Sequence, residues 1–351
     1  MSWSDIYPIL TDEMLQEYAE RVSSADCAEL DLAFGLKKVI NARASKQLIV
    51  TSLFWKNPSA DQDDLPPITR ELMQNAAEHG LVSRHEPWEH YVVPLIAGAK
   101  KLQEERPDVV LRVYLAADME FLVDDLVASG CEVALMQGSS LRHNPGAMWR
   151  FLALEEAERW VTVIDSDQAP EMQTSLERTE LMMASGLGLW RQPYVFDTSK
   201  SLHPGQYRPM IASHFGAKGG QPMEQLMRAF LWHTQRATMA NECVLSAGKQ
   251  EPLKTPIFGT LWPTYGFDEW FLLAAYYPRM AYEGVLTFYK FGSNLGPWFA
   301  LDVEYAAWAN PLSETLFYGD LQDYEKLLHP SDTSNVDELS ACAPGCCKHE
   351  H

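Results

Sequence analysis

The chain has 351 residues, of which 46% are hydrophobic and 22% charged, and its formal net charge is −20. This composition is ordinary for a globular protein with a sizeable core, and the length suits one large domain or two medium ones. The negative charge argues against nucleic acid or an anionic membrane surface as the main partner, because both would repel it. An anionic small ligand stays open, since a bound metal ion can reverse the local field.

No run of about 18 apolar residues indicates a membrane span. The N-terminal sequence M-S-W-S-D-I-Y-P has no basic start followed by an apolar core, so no secretory signal is expected. Six scattered cysteines, three of them in the last ten residues, do not form a disulfide framework. We therefore expect a cytoplasmic protein.

Residues 1–45 are predicted to form a helical N-terminal extension. Leu10, Met14 and Tyr18 recur at four-residue spacing, and residues 30–39 show a similar pattern. We expect this extension to pack on the core, and the alternative is a helix that binds a partner.

From residue 46 onwards, apolar runs of strand type alternate with helical segments. The predicted strands lie at residues 46–55, 109–118, 131–136 and 160–164. Helices are predicted between them, including one at 119–130 that Gly130 ends and one at 145–158. This alternation predicts an α/β fold with a mostly parallel central sheet flanked by helices.

The second half of the chain continues the pattern less regularly. A polar loop is predicted at 57–67, a helix at 170–185, a strand entering a glycine-rich loop at 208–220, a helix at 223–234, a helix before Pro278 and a last strand at 286–292. Residues 46–330 are expected to form one domain. Residues 331–351 are expected to form a flexible C-terminal tail that carries Cys342, Cys346, Cys347, His349 and His351, without the spacing of a closed zinc site.

Two aspartates follow the apolar run W-V-T-V-I. Asp165 and Asp167 are one residue apart, so in an extended chain both side chains point the same way and reach one cation. Carboxylate oxygens suit Mg²⁺ or Mn²⁺, which also bind a substrate diphosphate; the alternative is that they cap the next helix. Ligands bind beyond the carboxyl ends of parallel strands. Thr51, Ser52 and Phe54, at that end of the first strand, are therefore expected to share the crevice.

Arg150 lies in the segment W-R-F-L-A-L, which leads towards the strand that carries the aspartates. A guanidinium placed there would bind a diphosphate or a carboxylate. The alternative is an ordinary arginine on a helix surface.

These segments together resemble a known family. W-R-F-L-A-L, a short gap and V-T-V-I-D-S-D resemble the signature of nucleotide-sugar glycosyltransferases with the GT-A fold, closest in style to the retaining family eight type. L-I-V-T-S-L-F-W and L-R-V-Y-L are similar to the first two strands of that fold. H-F-G-A-K-G-G and Y-G-F-D-E-W-F-L resemble a sugar-site segment and a late motif of related bacterial proteins. The resemblance spans residues 46–292 and implies a nucleoside-diphosphate sugar donor, an unspecified acceptor and Mn²⁺ or Mg²⁺.

The resemblance implies roles for individual residues. Asp165 and Asp167 would bind the metal and the diphosphate. Donor binding would fall to Thr51, Phe54, Arg150, His214, Gly216, Lys218, Gly219 and Gly220, and the catalytic positions would be Asp268 and Glu269. Phe54 would stack on the base, glycines would let backbone N–H groups approach the ligand, and Lys218 would balance phosphate charge.

The chain departs from the family pattern at one point. The family eight type has a late histidine as third metal ligand, whereas Y-K-F-G-S-N-L-G-P-W has none, which leaves His214 or His329 as candidates. The retaining outcome is open for the same reason, and an inverting route would use Asp268 or Glu269 as base. The structural alternatives are an acidic helix N-terminus for these two residues, a core histidine for His214 and a plain turn for H-F-G-A-K-G-G.

Two other functions are compatible with an Asp-x-Asp pair after a strand. A phosphatase of the haloacid dehalogenase type uses the first aspartate as nucleophile, although its pair usually lies near the N-terminus and a later acidic pair follows. A non-catalytic carbohydrate-binding relative is the other alternative. The function predicted from the sequence is a metal-dependent glycosyltransferase.

Overall fold

A computed structural model describes the chain at residues 10–55, 66–82, 85–140, 145–192, 194–195, 207–208, 210–235, 242–245, 249–252, 267–280, 284–289, 298–301 and 318–319. Most of the loop predicted at 57–67, together with His329 and the C-terminal tail, lies outside these residues.

The described residues contain strands and helices in the alternation that the sequence predicts. The strands are β1 (Leu36–Ile40), β2 (Gln47–Leu53), β3 (Val110–Leu115), β4 (Glu132–Met136), β5 (Trp160–Val163), β6 (Leu189–Arg191), β7 (Tyr194–Val195), β8 (Tyr207–Arg208), β9 (Phe215–Lys218), β10 (Glu242–Leu245), β11 (Lys249–Pro252), β12 (Val285–Tyr289), β13 (Trp298–Leu301) and β14 (Tyr318–Gly319). The α-helices are α1 (Asp12–Arg21), α2 (Ser24–Phe34), α3 (Arg70–Gln74), α4 (Val93–Glu105), α5 (Val123–Ala128), α6 (Gly146–Trp149), α7 (Met172–Ser185), α8 (Met223–Gln235), α9 (Phe267–Phe271) and α10 (Tyr277–Met280). Three 3-10 helices span Ala117–Leu122, Arg150–Glu155 and Ser166–Glu171, and two π-helical turns span Trp88–Val92 and Leu272–Tyr276.

The main sheet is mixed, with parallel strands at its centre. Its strand order is β1-β4-β3-β2-β5-β9-β6-β12-β13-β14. The neighbours β4, β3, β2 and β5 are parallel, as are β6 and β12, whereas β9 runs antiparallel to both β5 and β6. The prediction of an α/β fold with a mostly parallel sheet is confirmed. The strand predicted at 286–292 corresponds to β12, and it is not the last strand, because β13 and β14 follow it.

The N-terminal residues are helical only in part. α1 and α2 are helices as predicted, but residues 36–40 form β1, which pairs antiparallel with β4 at the edge of the sheet. The helical prediction is therefore wrong from Leu36 onwards. Backbone pairing with β4 overrides local propensity here, and Gln137 N–H donates to Gly35 O over 2.8 Å where the chain enters the strand.

Helical segments cover both faces of the central strands. α7 packs on one face, where Thr179 Oγ1 lies 2.7 Å from both Thr162 Oγ1 and Trp190 Nε1. On the other face Phe151 contacts the rings of Phe215 and Phe271. This places the segment around Phe151 and the helices that begin at Phe267 on one side of β5.

None of the helices in the described ranges is both long and apolar enough to cross a membrane.

Candidate active site

The carboxyl ends of β2 and β5 lie side by side at one edge of the sheet. The two strands are parallel and pair Val50 with Val163. Ile164 N–H continues the ladder by donating to Val50 O over 3.0 Å. Asp165 therefore emerges beside the end of β2, as the sequence predicts. We call this border of the sheet the carboxyl edge.

Arg150 is buried at the carboxyl edge and connects its parts. Its side chain is 4% exposed, and its backbone N–H donates to Ser52 Oγ of β2 over 3.0 Å. Nη1 donates to Ile164 O over 3.0 Å and to Asp165 Oδ1, and Nη2 donates to Asp268 Oδ2 over 3.0 Å. The alternative of a helix-surface arginine does not hold, since Arg150 joins the end of β2 through its backbone N–H and joins the end of β5 to the start of α9 through its guanidinium.

The charge of Arg150 is secured by its two carboxylate partners. Burial acting alone would lower the pKa of this guanidinium, but attraction to Asp165 and Asp268 and the hydrogen bonds to them raise that pKa above its ordinary value. Arg150 Nε is buried without a hydrogen-bond partner in the described part of the chain. The arginine is thus a fixed cation at the carboxyl edge.

Aromatic packing brings Asp268 to this arginine. Phe271, one turn after Asp268 in α9, stacks on Phe151 with ring centroids 5.9 Å apart and planes 21° apart. Because Phe151 follows Arg150 directly, the two segments meet once through rings and once through charge. Asp268 Oδ1 also accepts a hydrogen bond from Glu269 N–H over 3.0 Å. Both acidic residues lie in the first turn of α9, which is the position that the alternative of an acidic helix N-terminus requires.

Asp167 has a different neighbour from Asp165. Its Oδ2 lies 3.2 Å from Nε2 of His90, which sits in the π-helical turn Trp88–Val92. The His90 ring stacks on the His85 ring with centroids 3.9 Å apart. The sequence did not single out His90, because E-H-Y-V-V carries no motif and lies far from Asp167 along the chain.

Thr51 and Phe54 lie at the end of β2, as expected. Thr51 is fully buried, and its Oγ1 has no hydrogen-bond partner among the described residues. Phe54 is half-buried and meets the Trp149 ring edge-on, with centroids 6.1 Å apart. Phe54 is the aromatic ring of this pair that stays partly accessible beside the carboxyl edge.

The segment H-F-G-A-K-G-G runs away from the carboxyl edge. β9 is antiparallel to β5, so Phe215 pairs with Val163 and Lys218 pairs with Trp160 at the start of β5. His214 precedes β9 at the Asp165 end, where its Nδ1 lies 2.9 Å from Ser213 Oγ. At about 3.3 Å per residue, Lys218 is about 10 Å further along the strand than Phe215. The structure therefore places only His214, and not Lys218, Gly219 or Gly220, at the carboxyl edge.

The glycines of this segment permit close packing. A Cβ atom on Gly216 would collide with Trp190 and Thr179, and one on Gly219 would collide with the carbonyl oxygen of Glu156. Gly216 lies inside β9, so the expected glycine-rich loop is a strand at this point. The two contacts account for both glycines without a ligand, in line with a structural role.

The carboxyl edge has donors that suit a hard divalent cation. Among the described residues, no group of three or more His, Cys, Asp or Glu side chains is arranged to hold a metal ion. Mg²⁺ and Mn²⁺ are often bound by one or two carboxylates, with water and substrate phosphates in the other positions. Asp165 and Asp167 fit that smaller donor set, although Asp165 Oδ1 is bonded to Arg150.

Comparisons with protein-family profiles, with curated proteins and with solved structures found no match. Function must therefore be inferred from the chemistry of the carboxyl edge and from the short motifs that lie on its strands.

Proposed function

We propose that the protein is a metal-dependent glycosyltransferase that moves a sugar from a nucleoside-diphosphate sugar to an acceptor. The observation that carries the proposal is the gathering of Asp165 and Asp268 around buried Arg150, with Asp167 two residues on, at the carboxyl edge. Ligands of α/β proteins bind at such edges. The strands with GT-A-like motifs, β2, β3 and β5, are adjacent and parallel, which supports the proposal.

The charges at this edge favour a cation together with an anionic donor. Asp165, Asp167 and Asp268 carry three negative charges against the single positive charge of Arg150. A nucleoside diphosphate alone would be repelled by the excess. A divalent ion held by Asp165 and Asp167 would neutralise the diphosphate as it leaves the sugar.

Arg150 would keep the other groups in a fixed arrangement. By binding Asp165 and Asp268 at once, it holds the end of β5 at a set distance from the start of α9 before substrate arrives. Asp268 would accept hydrogen bonds from donor-sugar hydroxyls between these two elements. Thr51 and Phe54, at the end of β2, would contact the nucleoside.

The stereochemical outcome depends on whether a base is needed. Both oxygens of Asp268 already accept hydrogen bonds, one from Arg150 and one from Glu269 N–H, which suits Asp268 for positioning. In an inverting route Glu269 would be the base that removes the acceptor proton. A retaining route needs no such base, because the departing phosphate takes that proton.

Ligand-induced stabilisation tests the proposal. We expect one nucleoside-diphosphate sugar to raise the unfolding temperature only when Mn²⁺ or Mg²⁺ is present. At a sugar-nucleotide concentration of about 100 times its Kd, the free energy of unfolding should rise by about 2.7 kcal/mol. Asp165→Asn and Asp167→Asn should abolish this shift. Asp124→Asn, the same change at an exposed position on α5, should retain it.

Two results would count against the proposal. A nucleotide response that needs neither the metal nor the two aspartates would separate the carboxyl edge from donor binding. Hydrolysis of a phosphate ester that Asp165→Asn abolishes, with no response to any nucleotide, would favour the phosphatase alternative instead. In that enzyme Asp165 would be the nucleophile, whereas here its carboxylate is paired with Arg150.

A further inference from the structure

We infer that Arg178 and Gln192 form a second binding site, which takes an oxyanion: the carboxylate or phosphate group of a small molecule. Arg178 lies on α7 and is half-buried, and Gln192 directly follows β6 and is 7% exposed. Binding of the oxyanion does not depend on the proposed function. Its assignment to the acceptor does rest on the proposed function, and it deepens that function by making the acceptor anionic.

Arg178 is a cation without an acidic partner among the described residues. Five other arginines in the described ranges have a shifted pKa, and each of them pairs with at least one carboxylate: Arg106, Arg112, Arg150, Arg228 and Arg279. At Arg178 burial acts alone, and it lowers the pKa of the guanidinium. Its positive charge therefore stays without a described counter-charge, in a chain whose net charge is −20.

Two aromatic rings enclose the guanidinium of Arg178. Its Cζ lies 4.8 Å from the ring centre of Phe288 and 5.5 Å from that of Trp190, and the two rings are nearly perpendicular to each other. Both rings are almost completely buried. Their attraction stabilises the cation, but it gives the N–H donors of the guanidinium no acceptor oxygens. The rings hold the group in place and leave its hydrogen-bonding capacity open.

The open donors of Arg178 and Gln192 face solvent. Only one of the five N–H donors of Arg178 has an acceptor among the described residues, because Nη1 donates to Gln192 Oε1 over 3.0 Å. No nitrogen of either side chain is among the buried atoms that lack a partner in the described ranges. Arg178 Nε and Nη2 and Gln192 Nε2 are therefore reachable from solvent. A planar guanidinium beside an amide NH₂ group suits carboxylate or phosphate oxygens.

The fold fixes both parts of the site before a ligand arrives. The backbone of Gln192 is bonded on both sides: its N–H donates to His214 O over 3.0 Å, and its oxygen accepts from Ile211 N–H over 3.0 Å. The guanidinium of Arg178 is held by the two rings and by the Gln192 amide. Such prior placement lowers the entropic cost of binding.

The site lies on the carboxyl edge, to the side of Asp165. Across β9, Arg191 of β6 is level with Val163 of β5, so Gln192 is level with Ile164. β9 lies between β5 and β6, and two strand spacings of about 4.8 Å place Gln192 about 10 Å from the strand end that leads into Asp165. A ligand at the Asp-x-Asp pair and an oxyanion at Gln192 are therefore neighbours.

This position assigns the oxyanion to the acceptor. Under the proposed function the diphosphate of the donor is bound through the metal at Asp165 and Asp167. The oxyanion at Arg178 is then a separate group, about 10 Å away along the same edge. The acceptor class that fits is a small molecule that carries a carboxylate or a phosphate beside the hydroxyl that receives the sugar.

Modification by phenylglyoxal tests the inference on the full chain without nucleotide. The reagent attacks accessible guanidines in their neutral form, so Arg178 should react, and bound inorganic phosphate or acetate should protect it. At about ten times its Kd the anion should slow this modification about 10-fold in peptide mapping, because the free fraction of the site falls by that factor. Arg279 is the internal control: burial also lowers its pKa, but it pairs with Asp12, so the anions should not protect it.

Gln192→Glu is the matched variant. It keeps the size of the side chain and supplies Arg178 with a carboxylate, so the site is filled from within and protection by phosphate or acetate should be lost. Gln74→Glu, the same change at an exposed position of α3, should retain the protection. Unfolding midpoints in urea identify a variant that fails to fold, and the wild-type result stands without any variant.

Three results would overturn the inference. They are an Arg178 that does not react in the absence of anions, an Arg178 that reacts equally fast with phosphate and acetate present, and protection that persists in Gln192→Glu. Protection by either anion, lost in Gln192→Glu, supports it, and the anion that protects at the lower concentration names the group as phosphate or carboxylate.

The results also separate this site from the proposed function. If an oxyanion protects Arg178 and no nucleotide stabilises the protein, the site stands and the function fails. If a nucleoside-diphosphate sugar stabilises the protein with metal and neither anion protects Arg178, the site fails and the function stands. Protection of Arg178 by the nucleoside-diphosphate sugar itself would overturn the assignment to the acceptor.

Discussion

Replacing Arg150 by methionine should destabilise the protein strongly, because it leaves two carboxylates without their shared cation. Methionine fills a similar volume and has no charge, so the change removes the two ion pairs and the hydrogen bond to Ile164 O while the space stays occupied. The affected groups differ in burial. Arg150 is 4% exposed, Asp268 15% and Asp165 36%.

These exposures set the size of the effect. Breaking a buried ion pair by removing one partner costs about 3–5 kcal/mol, since the other charge is left without compensation. Asp165 is more than a third exposed and is rehydrated by water, so its share falls to about 1 kcal/mol or less. Asp268 then contributes the larger part, and we expect Arg150→Met to lower the free energy of unfolding by about 3 kcal/mol.

A double-mutant cycle in urea measures the two shares separately. The coupling free energy of Arg150 with Asp268, from Arg150→Met, Asp268→Asn and the double variant, should exceed the coupling with Asp165. Arg106→Met is the matched control, because Arg106 also bridges two acids, Asp108 and Glu180, but is 22% exposed. It should cost about 0.5–1 kcal/mol. An equal cost for Arg150→Met and Arg106→Met would refute the reasoning, as would a larger coupling with Asp165.

Three further changes test other parts of the structure. Gly98→Ala should lower stability by about 1–3 kcal/mol in urea unfolding despite the better helix propensity of alanine, because its Cβ would press on Ala169 O; a gain would show that α4 has room to move. Burial raises the pKa of Cys131 to about 12 although its contact with Ser129 lowers it, so peptide mapping after iodoacetamide at pH 8 should find Cys131 unmodified until urea is added. Hydrogen bonds from Lys37 and Lys38 lower the pKa of Glu120 from 4.5 to about 2, so the stability that Glu120 contributes is present above pH 4.5 and is lost as the pH falls towards 2. Glu120→Gln should therefore lose less stability than the wild type between pH 5 and 2.5, and identical pH profiles would contradict this.

The central strands were predictable because burial on both faces leaves a mark in the sequence. Residues 48–53 of β2 are all buried, and their mostly apolar or β-branched character, broken only by Ser52, indicates a central strand without any tertiary information. One of the two sequence interpretations also placed Arg150 near Asp165, and it holds because a helical segment before a parallel strand runs antiparallel to it and begins near the carboxyl end of that strand. The strand β1 was not predictable in this way, because Lys37 and Lys38 are exposed and its pairing depends on β4.

The features that sequence missed depend on contacts between distant segments. Gly216 suggested a loop, yet its lack of a side chain is required by Trp190 and Thr179, which approach from two other elements. The direction of β9, which carries Lys218 away from the carboxyl edge, is likewise set by its neighbours in the sheet. His90 reaches Asp167 because α4, which His90 precedes, packs closely on the 3-10 helix Ser166–Glu171. No local spacing encodes any of these three contacts.

The Asp-x-Asp pair shows why equivalent positions in sequence need not be equivalent in the fold. Asp165 lies against the guanidinium of Arg150, whereas the contact of Asp167 is an imidazole. A divalent ion about 5 Å from that guanidinium would meet a repulsion of about 7 kcal/mol at an effective dielectric constant of about 20, which offsets a comparable attraction to Asp165. The two aspartates therefore offer an incoming cation different surroundings, because the carboxylate of Asp165 already lies against a guanidinium and that of Asp167 lies against an imidazole.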